Sequence, residues 1–517
     1  MRLKTTNFKS AMLRRSLYCI LGAFSTMATS QELRIEHVQV SSPERASVLR
    51  DATVEIRDGR IAAISSGSAS SHQIGRSSRV EAIDGRGLYL APGLIDSHVH
   101  LTNVPGMTPQ QAQLHPDIAQ AARRQEPRSF LYFGFTTLID LTATLETMAR
   151  WKSQDVVPDT YFCGAAPLID GYPTNWSPKP ARYEEMPYFV VERGAESSLP
   201  AGIDVAGHTP EAVVARMKAD GAICVKTFFD RGPDPRASLP VPQLETIRAL
   251  VRAAHAAGLP VLLHASSREA QEFGLDAGVD IMAHGLWNWG EESASATGLT
   301  PAVQATLNRV IQKNVGWQPT FRVGMGFRDL LLPSFLLDPS LPHVQPASLI
   351  EWYGTEEGQS FHIQLASGFL AASNGDAKAM EAQVNEIYST NFGKLERATR
   401  YLAEHGGRFL FGTDTPCAPL YSNPPGLNGW WEIQSLAAAG VTPAQIFRAA
   451  TLTNAQALSL DQQIGTVQVG KRANLLLLRD GPSQTIQAYA HIVKVILGGR
   501  LLDPADLAAD HGGKVRP

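Results

Sequence analysis

Short apolar runs that recur along the chain, each followed by an amphipathic helix, constrain this fold more than any other feature. Gly221 to Lys226 precedes a helix containing Gln243 to Ala257. Gly258 to His264 precedes a helix around Arg268 to Ala277. Gly278 to His284 follows, and Arg408 to Asp414 comes late. Runs apolar on both faces suit strands of a parallel sheet covered by helices. Each of these ends on a residue that can bind a metal, and chemistry at strand C-termini is the layout of a (β/α)8 TIM barrel. The expected fold class is therefore α/β, with the barrel over residues 91–460. That span exceeds the typical ~250 residues of such barrels by roughly a hundred. The excess is placed at 167–207, rich in Pro, Tyr and Trp, and at 322–407, which includes helical Ala377 to Glu404. Insertions after barrel strands overlie the mouth and could shape a substrate site, or make a dimer contact.

The two ends read differently. From Gln31 to about Leu90, alternating strands are punctuated by Asp58-Gly59. Ala473 to Leu478 and Ile492 to Leu497, the latter closed by the turn Gly498-Gly499-Arg500, repeat the pattern at the far end. Each piece is small for independent stability, so residues 31–90 and 461–517 are expected to join into one β-sandwich domain. Residues 1–30 have a basic leader, the apolar run Leu17 to Met27, and Ala28 and Ser30 before Gln31. This is the layout of a secretory signal peptide, and Arg14-Arg15 loosely resembles the twin-arginine type. A periplasmic or secreted location is expected. No later segment is apolar enough to span a membrane. Cleavage would leave Cys163, Cys224 and Cys417, an odd and widely spaced set that does not suggest a disulfide framework; Cys224 reads as core packing. A formal charge of -3 with no dense Lys/Arg block argues against nucleic acid. A small-molecule substrate and a possible homo-oligomer are the partners expected.

The chemistry begins at Ala91 to His100, APGLIDSHVH. Residues two apart on a strand face one side, so His98 and His100 point together. The string resembles the first-strand motif of the amidohydrolase superfamily. Family members then carry a Lys after strand four, a His after strand five, a His after strand six and an Asp after strand eight. Lys226, His264, His284 and Asp414 stand in that order, and the ending Gly465 to Asn474 is similar too. The resemblance is nearest the imidazolonepropionase-like and Xaa-Pro or Xaa-Arg dipeptidase branch. It implies a metal-dependent hydrolase cleaving an amide, peptide or cyclic amide C–N bond. It implies one or two Zn²⁺ ions, imidazole and carboxylate being suitable ligands. His98, His100 and Asp414 would hold one ion, and His264 and His284 the other. Carboxylated Lys226 would bridge them, and Asp414 would shuttle the proton. If Lys226 is instead a free amine, the site is mononuclear and His284 becomes a donor to the developing oxyanion.

Tyr172, Trp176, Trp287, Trp289 and Arg322 fall after barrel strands; Tyr172, Trp287 and Arg322 are the foremost candidates for substrate contacts. Relatives often show Gly-Gly-His where this chain has Asp170-Gly171-Tyr172-Pro173, which weakens transfer of dipeptidase specificity. An esterase, lactonase or deaminase using the same activated water is the alternative within enzymes. A catalytically inactive binding module would have lost ligands, and none is lost.

Overall fold

Alternation of apolar and polar residues builds strand β1 (Glu32–Val40), whose Leu33, Ile35, Val38 and Val40 are buried. The computed structural model describes residues 32–66, 80–195, 199–232, 238–291, 298–332 and 334–509. The expected signal peptide, residues 1–30, lies outside these residues. Strands β2 (Leu49–Arg57), β3 (Arg60–Ser66), β4 (Val80–Asp84) and β5 (Tyr89–Pro92) complete the N-terminal piece. Next come β6 (Leu94–Val99), β7 (Phe135–Asp140), β8 (Asp159–Ala165), β9 (Cys224–Phe228) and β10 (Val261–His264). They continue with β11 (Ile281–Ala283), β12 (Gly316–Gln318) and β13 (Arg408–Phe409). The C-terminal piece supplies β14 (Leu475–Leu478), β15 (Ile492–Leu497) and β16 (Arg500–Leu502).

The two ends do combine. Strand β14 lies antiparallel to β5, from Leu475 opposite Pro92 to Leu478 opposite Tyr89. The resulting sheet runs β16-β15-β14-β5-β1-β2-β3, with β4 beside β1. Val54, Ile56 and Leu90 of the first piece share one core with Leu475, Leu477 and Ile496 of the second. Neither end has enough apolar surface alone, and pairing buries both.

Strands β6 to β13 form the second sheet, in chain order and parallel throughout. Its edges meet: Ser97 N–H donates to Phe411 O (3.1 Å), Asp414 N–H to His98 O (2.7 Å) and His100 N–H to Thr415 O (2.9 Å). This closes the barrel. The seam is tight enough that a Cβ on Gly412 would lie 2.7 Å from the His98 Cβ, so only glycine fits there. Buried Asp96 accepts from Thr413 N–H (3.1 Å) and Thr413 Oγ1–H (2.6 Å), and Asn454 donates to Ile95 O and Phe411 O. The barrel interior below the site is a packed layer of Ile95, Ile139, Leu262, Ile281 and Leu410.

Cys163 and Cys224 sit in that same layer, and they are joined as a disulfide. This corrects the expectation of unpaired cysteines. Their sequence separation of 61 hid a pairing that the adjacency of β8 and β9 makes natural, with Cα atoms 4.4 Å apart. Closing so long a loop restrains the unfolded chain by about 4 kcal/mol on the chain-entropy account. Cys163→Ala/Cys224→Ala is therefore expected to lower Tm by several degrees; an unchanged melting curve would show that the bond does not contribute.

The segment expected as a second insertion is largely helical, ending in the long helix Ala377–Glu404. Leu330, Phe335, Leu349, Trp352 and Tyr353 pack on Val104, Met107, Leu420 and Tyr421. It is thus anchored over the loops after β6 and β13. Beneath it, the helix Pro116–Tyr132 buries Glu126, whose carboxylate has no hydrogen-bond partner among the described residues. Burial pushes this carboxyl from 4.5 up to about 8, against the pull of Arg150 and Arg123. The unfolded chain ionises near 4.5 while the folded one holds the proton to about 8. Stability is therefore lost as pH rises through that window. Glu126→Gln removes the loss, so its Tm should match the wild type at pH 4.5 and exceed it progressively to pH 8. The expected gain there is a few kcal/mol, at roughly 1.4 per pKa unit. Parallel pH–stability curves for the two proteins would reject this account.

Candidate metal centre

Six residues from five barrel strands converge. His98 lies within β6 and His100 just beyond it; Lys226 lies in β9 and His264 ends β10. His284 follows β11, and Asp414 follows β13. Asp414 Oδ1 is 3.1 Å from His98 Nε2 and 2.6 Å from His100 Nε2. Ring centroids are 5.0 Å apart for His98 and His284, and 4.3 Å for His264 and His284. One ligand atom from each of His98, His284 and Asp414 lies within 4.8 Å of the others. His284 (φ 87°) and Asp414 (φ 60°) both adopt left-handed backbone, as does Thr320 (φ 48°). Such conformations cost of order 1–3 kcal/mol each and persist where surrounding contacts hold them, commonly at functional sites.

Every imidazole is anchored from outside. His98 Nδ1 meets Gln318 Oε1 (3.2 Å), His100 Nδ1 meets Thr142 Oγ1 (2.8 Å) and His284 Nδ1 meets Thr320 Oγ1 (2.9 Å). His264 is held by its other nitrogen: Nε2 lies 2.9 Å from Asp230 Oδ2. Thr142 is placed in turn by its N–H bond to Asp140 (2.8 Å), and Gln318 by donating to Ser97 Oγ (2.8 Å). Outer partners of this kind orient rings as metal ligands. None was recognised in the sequence, since Gln318, Thr142, Thr320 and Asp230 carry no motif. Asp230 alone, four residues beyond Lys226, left a trace, as the start of an Asx turn closed by Gly232.

The electrostatics suit a cation. Burial drives His98 down to about 3, helped by Lys226. Burial also depresses His264 despite Asp230, and carries His284 well below the imidazole range. Burial would lower His100 as well, but the Asp414 carboxylate more than offsets it. For Asp414 burial acts upward, yet His98 and His100 hold it well below the carboxylate range. Since Gln318 Oε1 accepts from His98 Nδ1–H, the Nε2 lone pair of that neutral ring faces the Asp414 carboxylate at 3.1 Å. Two acceptors so placed suit a cation between them. Lys226 is 1% exposed, its Nζ has no hydrogen-bond partner among the described residues, and burial lowers it to about 7. It is thus an orphaned amine that loses its proton far more readily than an ordinary lysine. The residues fit a metal centre.

Of the candidate substrate residues, Tyr172 lies over His264 (centroids 4.4 Å apart) and Trp287 beside His284 (5.7 Å). Burial, reinforced by Asp414, holds the Tyr172 phenol well above its ordinary range, so it stays neutral. Arg322 is placed differently. Its 4%-exposed guanidinium is taken up by Asn428 Oδ1 (2.9 Å) and Asp329 Oδ2 (2.8 Å) and stacks 4.7 Å over Trp431. This corrects its reading as a free anchor for substrate: it braces helices. Trp289 is core, donating to Leu286 O, and Trp176 is exposed.

A closed parallel barrel with ligand-type side chains gathered at its strand ends defines an enzyme whose chemistry occurs at that rim. The chain belongs to the amidohydrolase family, hydrolases acting on C–N bonds; the family model matches residues 89–322 and 371–502. The unmatched 323–370 falls within the second insertion. No curated protein matches the sequence. Among solved structures, a Xaa-Pro dipeptidase with bound methionine is 18% identical, with TM-score 0.61 over 92% of this chain and all of that one. A prolidase complexed with N-methylphosphonate-L-proline is 20% identical, with TM-score 0.61 over 92% and 100%. The ochratoxinase of A. niger is 18% identical, with TM-score 0.61 over 92% and 96%. These likenesses establish the shared fold.

Proposed function

We propose that this centre hydrolyses an amide, peptide or cyclic amide C–N bond in a small molecule, using one or two divalent cations, with Zn²⁺ the expected ion. The observation that carries the reading is the unpartnered Lys226 amine among imidazoles whose outer nitrogens are already engaged. His98, His100 and Asp414 would hold one ion and His264 and His284 a second, with Lys226, carboxylated by CO2, between them. The neutral amine is the form that reacts with CO2, and burial raises its share. When bound, the metal supplies a Lewis acid that lowers the pKa of water and polarises a carbonyl. Asp414, ionised and 8% exposed, accepts the water's proton and delivers it to the leaving nitrogen. Tyr172 and Trp287 present aromatic faces to the substrate beside His264 and His284, and the neutral phenol is available as a donor. The names Xaa-Pro dipeptidase and prolidase among the solved likenesses support a dipeptide-like substrate. The N-terminal leader and the Cys163–Cys224 bond support export to an oxidising compartment.

The test is elemental analysis of the purified protein, with a zinc-loaded screen of dipeptides, N-acyl amino acids, esters and lactones. About two zinc ions per chain and turnover of amides are expected. A single ion would favour the mononuclear arrangement, turnover of esters or lactones alone would move the bond class, and failure to bind any divalent metal would remove the reading.

A further inference from the structure

We propose that Asp230 is the positioning residue that makes His264 offer Nδ1, rather than Nε2, to the centre; the inference rests on the metal reading above. The three other rings are anchored through Nδ1 and turn Nε2 inward. His264 is reversed, because its Nε2 lies 2.9 Å from Asp230 Oδ2. An ionised carboxylate only accepts, so Nε2 carries the proton and the lone pair sits on Nδ1. Asp230 is itself fixed: Gly232 N–H donates to Oδ1 (2.7 Å), while Ser266 Oγ approaches Oδ2 (3.4 Å). The carboxylate therefore presents one oxygen to a backbone donor and the other to His264. Asp230 follows β9, the strand that carries Lys226, and Phe229 N–H donates to His264 O (3.2 Å). One short segment thus sets both the lysine and the tautomer of the neighbouring histidine.

Asp230→Asn separates this role from a merely structural one. Gly232 N–H still requires an acceptor at the Oδ1 position, so the amide nitrogen falls opposite His264. Two donors then face each other. The ring relieves the clash by moving its proton to Nδ1, which removes the lone pair from the centre. Histidine-labelled, metal-free protein, with the His264 signal assigned by its loss in His264→Gln, reports this in long-range ¹H–¹⁵N spectra. His264 should be protonated at Nε2 in the wild type and at Nδ1 in Asp230→Asn. In zinc equilibrium dialysis, the ion held by His264 should bind about 10- to 100-fold more weakly, the usual effect of losing an outer-shell partner. The ion held by His98, His100 and Asp414 should be unaffected. An unchanged His264 tautomer in the variant, or wild-type zinc affinity at every site, would overturn the proposal. If Asp230→Asn does not fold, Asp230→Ala carries the same readouts, with mixed tautomers expected. A wild type that binds no zinc removes the metal reading, whereas the tautomer spectrum still tests Asp230 directly.

Discussion

Asp414→Asn is expected to lower kcat/KM by about 10³- to 10⁴-fold on any substrate the enzyme turns over. The carboxamide keeps the volume of the side chain but removes both the charge that faces His98 and His100 and the site that accepts a proton. The loss should fall mainly on kcat, because the group acts on the reacting atoms. Far-UV circular dichroism should be unchanged, since the barrel seam beside it is held by backbone bonds and by Asp96 and Asn454. A variant retaining a tenth of wild-type turnover would take Asp414 out of the proton path.

Lys226→Met is expected to separate function from stability. Methionine follows the lysine side chain out to Cε and fills most of the same space within β9 without the polar head. Burying an unpartnered amine is unfavourable, so the metal-free variant should be more stable than the metal-free wild type by about 1–3 kcal/mol. Zinc content should fall towards half, and turnover should drop at least ~100-fold. A structural lysine would behave oppositely, its loss destabilising the fold and leaving zinc binding intact. Reconstitution of metal-free wild type should also depend on bicarbonate, which supplies the CO2 that carboxylation needs. Equal zinc uptake in CO2-free buffer would leave Lys226 as a plain amine.

The six ligand-type residues were legible because each depends on a local pattern. An apolar strand that ends on His, Lys or Asp can be read without knowing where its neighbours lie, and barrel topology then gathers those ends. The union of the two terminal β pieces was legible for a similar reason, since neither could bury its own apolar face. The helix Ala377–Glu404 carried its own signal. Arg322 misled because a cation after a barrel strand looks the same whether it faces a substrate or, as here, Asp329 and Asn428. The Cys163–Cys224 pair was missed because sequence separation says nothing about strand adjacency.

What the sequence by itself determined is the class of chemistry: residue types that bind metal, at strand ends, in an order that resembles one superfamily. What only the tertiary structure decided is how those residues are made ready. It set the anchoring of each ring by Gln318, Thr142, Thr320 or Asp230, the left-handed turns at His284 and Asp414, and the isolation of Lys226. The physical reason is range. Periodicity and strand ends are properties of neighbours along the chain, whereas a tautomer, a desolvated amine and a disulfide between β8 and β9 exist only once distant segments meet.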